Sequence, residues 1–287
     1  MSRFFDALKK REDTSVATLV DSIEGGSSQC SEASDGFLSN PRRPDLKIPS
    51  YRTVTLHVAD GPLFPFDGTD SRTAEQYRML RTNILLHPAR PKIIAISSAS
   101  PGDGKTVTSI NLAGTLALKT DAKVLLVDAD LRQCRIATSL GIPASPGLTE
   151  VLRDKCSLNE AIVRVDEMPN LSVLPCGEVG GNPAELLDSV QWKRIVDQIR
   201  ADFAYVIMDT TPVAAVADFQ LVQQASDAVL LVLRPDHTKR SLFHKALATV
   251  PKEKLLGTLL NAVPDWFLWG NRDNDYYYAQ KDPELAG

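Results

Sequence analysis

The chain predicts an α/β protein: a doubly wound, mostly parallel sheet with helices on both faces. Three observations point there. Short apolar runs alternate with helix-like stretches from residue 93 to residue 260. The runs are almost continuously apolar, as strands covered on both faces must be. Several end in Ser or Asp, where a parallel strand hands its residues to the ligand crevice.

Residues 1–50 are rich in Ser, Gly, Asp and Glu and lack periodicity, so a disordered arm is expected. Its first ten residues put Phe4, Phe5 and Leu8 on one side of a short helix, followed by Lys9, Lys10 and Arg11. That is either a docking or membrane-touching element or a frayed helical tip. Residues 51–72, with Gly61, Pro62 and Pro65, read as an irregular lead-in. The body is expected over 73–263. It opens with a helix from Thr73 to about Leu86, where Tyr77, Leu80 and Ile84 recur at helical spacing.

Strands follow at 93–98, 123–128, 171–174, 204–209, 228–233 and 255–260. Helices fall at 105–119, 183–201, 215–225 and 239–249, with helical pieces between Leu148 and Val165. Residues 264–287 read as a flexible, tyrosine-bearing tail, because 271–275, Asn-Arg-Asp-Asn-Asp, are polar. No internal repeat is evident.

Composition narrows the function classes. Thirty-two Lys and Arg against 36 Asp and Glu give −4, with no basic block to suggest a nucleic-acid surface. No apolar segment approaches the roughly 18 to 20 residues that span a bilayer, and the first ten residues hold no long apolar run. A cytoplasmic protein is expected. Cys30, Cys134, Cys156 and Cys176 are scattered without C-x-x-C spacing, so reduced, structural thiols are expected.

The chemistry begins at residues 99–106, Ala-Ser-Pro-Gly-Asp-Gly-Lys-Thr, lying between the apolar run at 93–98 and a helix-like run. This is a phosphate-binding loop, and it points to a nucleotide triphosphatase or kinase. Gly102 and Gly104 reach backbone conformations closed to other residues, so the loop through Ser100, Pro101, Gly102 and Asp103 can turn its N–H groups, all but that of the proline, round a phosphate at a helix N-terminus. Lys105 would reach the β- and γ-phosphates, Thr106 would hold Mg²⁺, and Val107 follows on the helix. Ala99 replaces the usual first glycine. The lysine is expected to be exposed when the site is empty. Residues 124–130, Val-Leu-Leu-Val-Asp-Ala-Asp, and 205–209, Tyr-Val-Ile-Met-Asp, end in carboxylates that fit a Walker-type metal site. Each Asp alone could equally be a helix cap or loop residue.

These segments resemble the bacterial tyrosine kinases of capsule and exopolysaccharide synthesis, whose catalytic domain is related to the MinD and ParA ATPases. Residues 97–106 look like the family's Walker A, 125–132 like its Walker A′ and 206–213 like its Walker B. Tyr276, Tyr277 and Tyr278 look like its acceptor cluster, and Glu75, Arg78 and Arg81 match its E-x-x-R-x-x-R helix of self-association. The resemblance runs from Thr73 to Tyr278. It implies a P-loop NTPase fold and an ATP- and Mg²⁺-dependent tyrosine autokinase acting in polysaccharide polymerisation and export. Lys105, Asp128, Asp130 and Asp209 would be catalytic: Asp128 as the base toward tyrosine and Asp130 with Thr106 and Asp209 at the metal, or the first two exchanged. Asn261 looks like the adenine-reading position; a turn-forming Asn is the alternative.

The chain departs from the pattern in places. Ser100 stands where the MinD and ParA branch carries a second lysine, which favours the kinase branch. Thr211 stands where a second proline is usual, and the tail has only three adjacent tyrosines. Many relatives are fused to a membrane-spanning adaptor, so a separate adaptor or activator is expected here, together with a homo-oligomer and a protein-tyrosine phosphatase. A MinD- or ParA-like ATPase switch, which has no use for the tyrosine run, and an inactive scaffold, which would keep the fold while losing nucleotide turnover, remain the other readings.

Overall fold

The computed structural model describes residues 51–57, 63, 72–118, 122–213 and 217–263. The arm at 1–50 and the tail at 264–287, with Tyr276, Tyr277 and Tyr278, lie outside the described residues.

Eight strands form one sheet: β1 (Arg52–Val54), β2 (Ile93–Ser98), β3 (Val124–Asp128), β4 (Val163–Val165), β5 (Leu171–Leu174), β6 (Tyr205–Asp209), β7 (Ala228–Leu233) and β8 (Leu255–Leu260). Their spatial order is β1-β4-β5-β3-β6-β2-β7-β8. Every neighbouring pair is parallel except β4 and β5. The central strands β2, β3 and β7 are buried at every position, which is why they read as unbroken apolar runs.

Helix α1 (Arg72–Leu85) packs on α2 (Lys105–Ala117), and α2 packs on the sheet, so all of α2 except Val107 is buried. On the opposite face lies a second core containing Trp192, Ile195 and Ile199 of α7 (Val190–Asp202) and Phe219 and Val222 of α8 (Asp218–Ala225). Ser189 caps α7 by accepting from the Trp192 amide at 3.1 Å. The remaining helices are short, at Ile136–Leu140 (α3), Leu148–Leu152 (α4), Leu158–Ala161 (α5) and Pro183–Leu187 (α6), apart from α9 (Arg240–Thr249).

Four expectations need correction. The lead-in contains strand β1, a three-residue edge strand too short to signal itself by alternation. The segment 148–165 ends in strand β4 rather than helix. The helix expected over 183–201 is two, because Ser189 starts a new one. Finally, Cys134 and Cys176 form a disulfide, with Cα atoms 5.6 Å apart, and Cys156 is the free thiol among the described residues. The two lie 42 residues apart in sequence, but β3 and β5 are adjacent and parallel, so the loops at their carboxyl ends meet.

Candidate active site

The phosphate loop connects the carboxyl end of β2 to the first turn of α2. Gly102 and Gly104 hold φ of 85° and 97°, the left-handed region that lets consecutive amides face one way. Gly104 is required for a second reason. A Cβ there would lie 1.8 Å from the Asn261 side-chain nitrogen. That amide donates to the Asp103 carbonyl at 3.0 Å, so Asn261, just beyond β8, braces the loop.

Asp103 has a fully buried carboxylate. Its Oδ2 accepts from the Ser100 amide at 2.8 Å, and its Oδ1 accepts from Thr238 Oγ1 at 2.7 Å and faces His237 Nδ1 at 3.0 Å. The side chain of Asp103 therefore ties the loop to the residues following β7. Nothing in the local sequence around His237 and Thr238 signals this, since the contact spans about half the chain.

A cavity of about 440 Å³ opens over the loop. Pro101, Gly102, Gly104, Lys105, Thr106 and Val107 line one side; Asp130, Arg132, Gln133, Arg135 and Ser139 line another. Ser100, Asp103 and Asn261 are not part of this lining. Thr211 and Pro212 complete the wall, and the Thr211 carbonyl accepts from Ser97 Oγ at 2.7 Å, holding the segment after β6 to the end of β2.

The three carboxylates arrive from adjacent strand ends, with Asp128 directly opposite Asp209 in the β3–β6 register. Thr106 Oγ1 donates to Asp209 Oδ2 at 2.7 Å, and Ser109 Oγ to Oδ1 at 3.3 Å. Lys105 Nζ lies 2.8 Å from Asp130 Oδ2. The lysine is 9% exposed, contrary to the expected exposed side chain, because Asp130 draws it in. Asp130 Oδ1 accepts from the Arg132 and Gln133 amides, and Asp128 Oδ2 from the Ile136 amide at 3.1 Å. Asp128 Oδ1 is buried without a hydrogen-bond partner.

Burial raises the Asp209 carboxyl to about 6, against the opposing pull of Lys105 and the Thr106 hydroxyl. Asp128 is pushed well above the usual carboxylate range by burial and by facing Asp209. Burial works to lower the Lys105 ammonium, but the carboxylates of Asp209 and Asp130 outweigh it and hold the charge on. Asp128 and Asp209 are fully buried and do not themselves line the cavity.

The residues present suit a nucleotide triphosphate with Mg²⁺. The glycine cradle and Lys105 offer donors to phosphate, and Thr106 and Asp209 already touch, offering the hard oxygens that Mg²⁺ takes alongside phosphate oxygens. Among the described residues no group of three or more His, Cys, Asp or Glu side chains is arranged to hold a metal alone.

In α1 the three residues of the E-x-x-R-x-x-R pattern divide between two surroundings. Glu75 and Arg78 pair at 2.8 Å, both about 40% exposed. Arg81 instead donates to the Thr115 carbonyl of α2 at 3.1 Å, and Tyr77 is buried with its hydroxyl toward Thr108 and Asn111. A step of three residues falls about 60° short of a helical turn, so over two steps Arg81 leaves the face of Glu75 and points at α2. Sequence reading also missed Arg132, whose guanidinium grips the buried Asp218 at 2.7 and 3.1 Å.

Comparison with known proteins gives consistent matches. Residues 91–252 match the family model described as an AAA domain. Tyrosine-protein kinase YwqD of Bacillus subtilis (strain 168) is 38% identical over 214 residues, covering 71% of this chain and 89% of that protein. Tyrosine-protein kinase ptk of Acinetobacter johnsonii is 39% identical over 206 residues, covering 70% of this chain but 28% of that protein. Among solved structures, the chimerical protein CapA2B2 superposes with a TM-score of 0.67 at 29% identity, covering 70% of this chain and 90% of that one.

Proposed function

Because the chain belongs to the bacterial tyrosine-protein kinases, we propose that it serves capsule and exopolysaccharide synthesis by phosphorylating Tyr276, Tyr277 and Tyr278 in the tail of a neighbouring copy. ATP and Mg²⁺ are the cofactors. The observation that carries the reading is the meeting of Lys105, Thr106 and Asp130 on one cavity, with Lys105 paired to Asp130 and Thr106 bonded to the buried Asp209, which stands opposite Asp128 in the sheet.

Lys105 leaves Asp130 to hold the β- and γ-phosphate oxygens, while the loop amides bind the rest of the phosphate chain. Thr106 and Asp209 would hold Mg²⁺, with Asp130 assisting, and the ion would supply neutralisation of oxygen charge. Asp128 takes the tyrosine proton through its unpartnered oxygen. A phenol with pKa near 10 is a poor nucleophile at neutral pH, so a carboxylate of raised proton affinity is a suitable acceptor for that proton.

About 15 residues separate Asn261 from the tyrosine cluster, a flexible reach of about 20 Å and an extended limit of about 50 Å. That span permits transfer to another subunit's site. Glu75 and Arg78 address the neighbour in a homo-oligomer. A membrane adaptor of polysaccharide export activates the enzyme and brings it to the inner face of the plasma membrane, and a phosphatase reverses the reaction. Among the described residues no helix is long and apolar enough to cross a membrane.

The test mixes an inactive Asp209→Asn chain bearing the native tail with an active chain in which Tyr276, Tyr277 and Tyr278 are Phe. Phosphotyrosine on the former is expected. Its absence, while wild type labels strongly, would rule out transfer between subunits.

A further inference from the structure

Resting on the kinase reading, we infer that Arg135 reads the acidic residues preceding the acceptor tyrosine, so that the site selects an acidic tyrosine peptide, here the tail of a second copy. The loop 129–136 wraps both Walker A′ carboxylates. Arg132 and Gln133 amides hold Asp130, and the Ile136 amide holds Asp128. Arg135 is therefore one residue from a direct contact with the proposed base, and its exposed side chain lines the cavity.

Three cations line that cavity, and two are already committed. Lys105 is paired with Asp130 at 2.8 Å, and Arg132 grips the buried Asp218 through two hydrogen bonds. Arg135 meets only the neutral Gln133 Oε1, at 3.3 Å, and has no carboxylate partner among the described residues. Its charge is available to a ligand.

The tail supplies the complement. Residues 271–278 read Asn-Arg-Asp-Asn-Asp-Tyr-Tyr-Tyr, with Asp275 immediately before Tyr276 and Asp273 three positions before it. The site itself contributes three carboxylates, Asp128, Asp130 and Asp209, and an acidic peptide needs a cation at the lip to offset them. Arg135 contacts a non-reacting part of the substrate, so its effect falls on KM for peptide rather than on kcat.

The test uses the full chain with Tyr276–278→Phe as enzyme and peptides spanning residues 270–281 as substrates. One peptide is native and the other carries Asp273→Lys and Asp275→Lys. The unaltered Arg135 should favour the native peptide by about three- to fivefold in KM, the scale of an exposed ion pair. Arg135→Glu should reverse the preference, and Arg135→Ala should flatten it. The same preference in all three enzymes would overturn the role of Arg135 alone. ATP hydrolysis with no labelling of either peptide by any of them would overturn the kinase reading and this proposal together.

Discussion

Thr106 Oγ1 donates to Asp209 Oδ2 at 2.7 Å, so the two groups assigned to magnesium are already bonded to each other across the ends of α2 and β6. The carboxylate is fully buried, and its ionisation opposes the fold.

The sign of the resulting pH dependence follows from that. The folded-state value is raised from 3.8 to about 6, so the folded protein binds more protons than the unfolded chain in that window. The contribution of Asp209 to stability is fully present below pH 3.8 and is lost as pH rises through about 6. Asp209→Asn should therefore melt a few degrees above wild type at pH 8 in chelator, with the gap closing toward pH 4. Adding Mg²⁺ and ADP should raise the wild-type midpoint more than that of the variant, and turnover should be abolished in the variant. Calorimetry across pH, with a coupled ATPase assay, checks all three.

Lys105→Ala should abolish turnover, because the ammonium serves the transition state. It should also cost about 3 kcal/mol of stability, since it strands the buried Asp130. Lys105→Met combined with Asp130→Asn should recover most of that stability without recovering activity. Urea unfolding that finds Lys105→Ala as stable as wild type would show the pair contributes nothing to the fold.

The bracing of the loop predicts graded losses of nucleotide affinity. Gly104→Ala must adopt φ near 97° and drive its methyl into Asn261, so binding of a fluorescent ATP analogue should weaken by more than about tenfold. Asn261→Ala removes one hydrogen bond to the Asp103 carbonyl and should weaken binding by about fivefold.

Arg78 and Arg81, three apart in sequence, should separate in their effects. Arg78→Ala should reduce self-association in sedimentation with little change in stability, as expected for an exposed pair. Arg81→Ala should cost about 1 kcal/mol in urea unfolding, through the lost bond to the Thr115 carbonyl. Equal sedimentation of Arg78→Ala and wild type, where wild type associates, would count against the interface.

The local chemistry of this protein was written in short segments. An apolar run, two glycines and Lys105-Thr106 define a strand, a left-handed turn and a helix start within a dozen residues, so the phosphate loop was legible at once. Asp128, Asp130 and Asp209 were legible because parallel strands carry their last residues to one edge. The tertiary structure alone decided how those groups are shared: Lys105 to Asp130, Thr106 to Asp209, and Asp103 to His237, Thr238 and Asn261. It alone paired Cys134 with Cys176 and turned Arg81 onto α2. The physical reason is range. Hydrogen-bonding pattern and backbone conformation are set by near neighbours, whereas the partners of a buried charge are set by strand order, and the order β5-β3-β6-β2-β7-β8 brings together residues up to 158 positions apart.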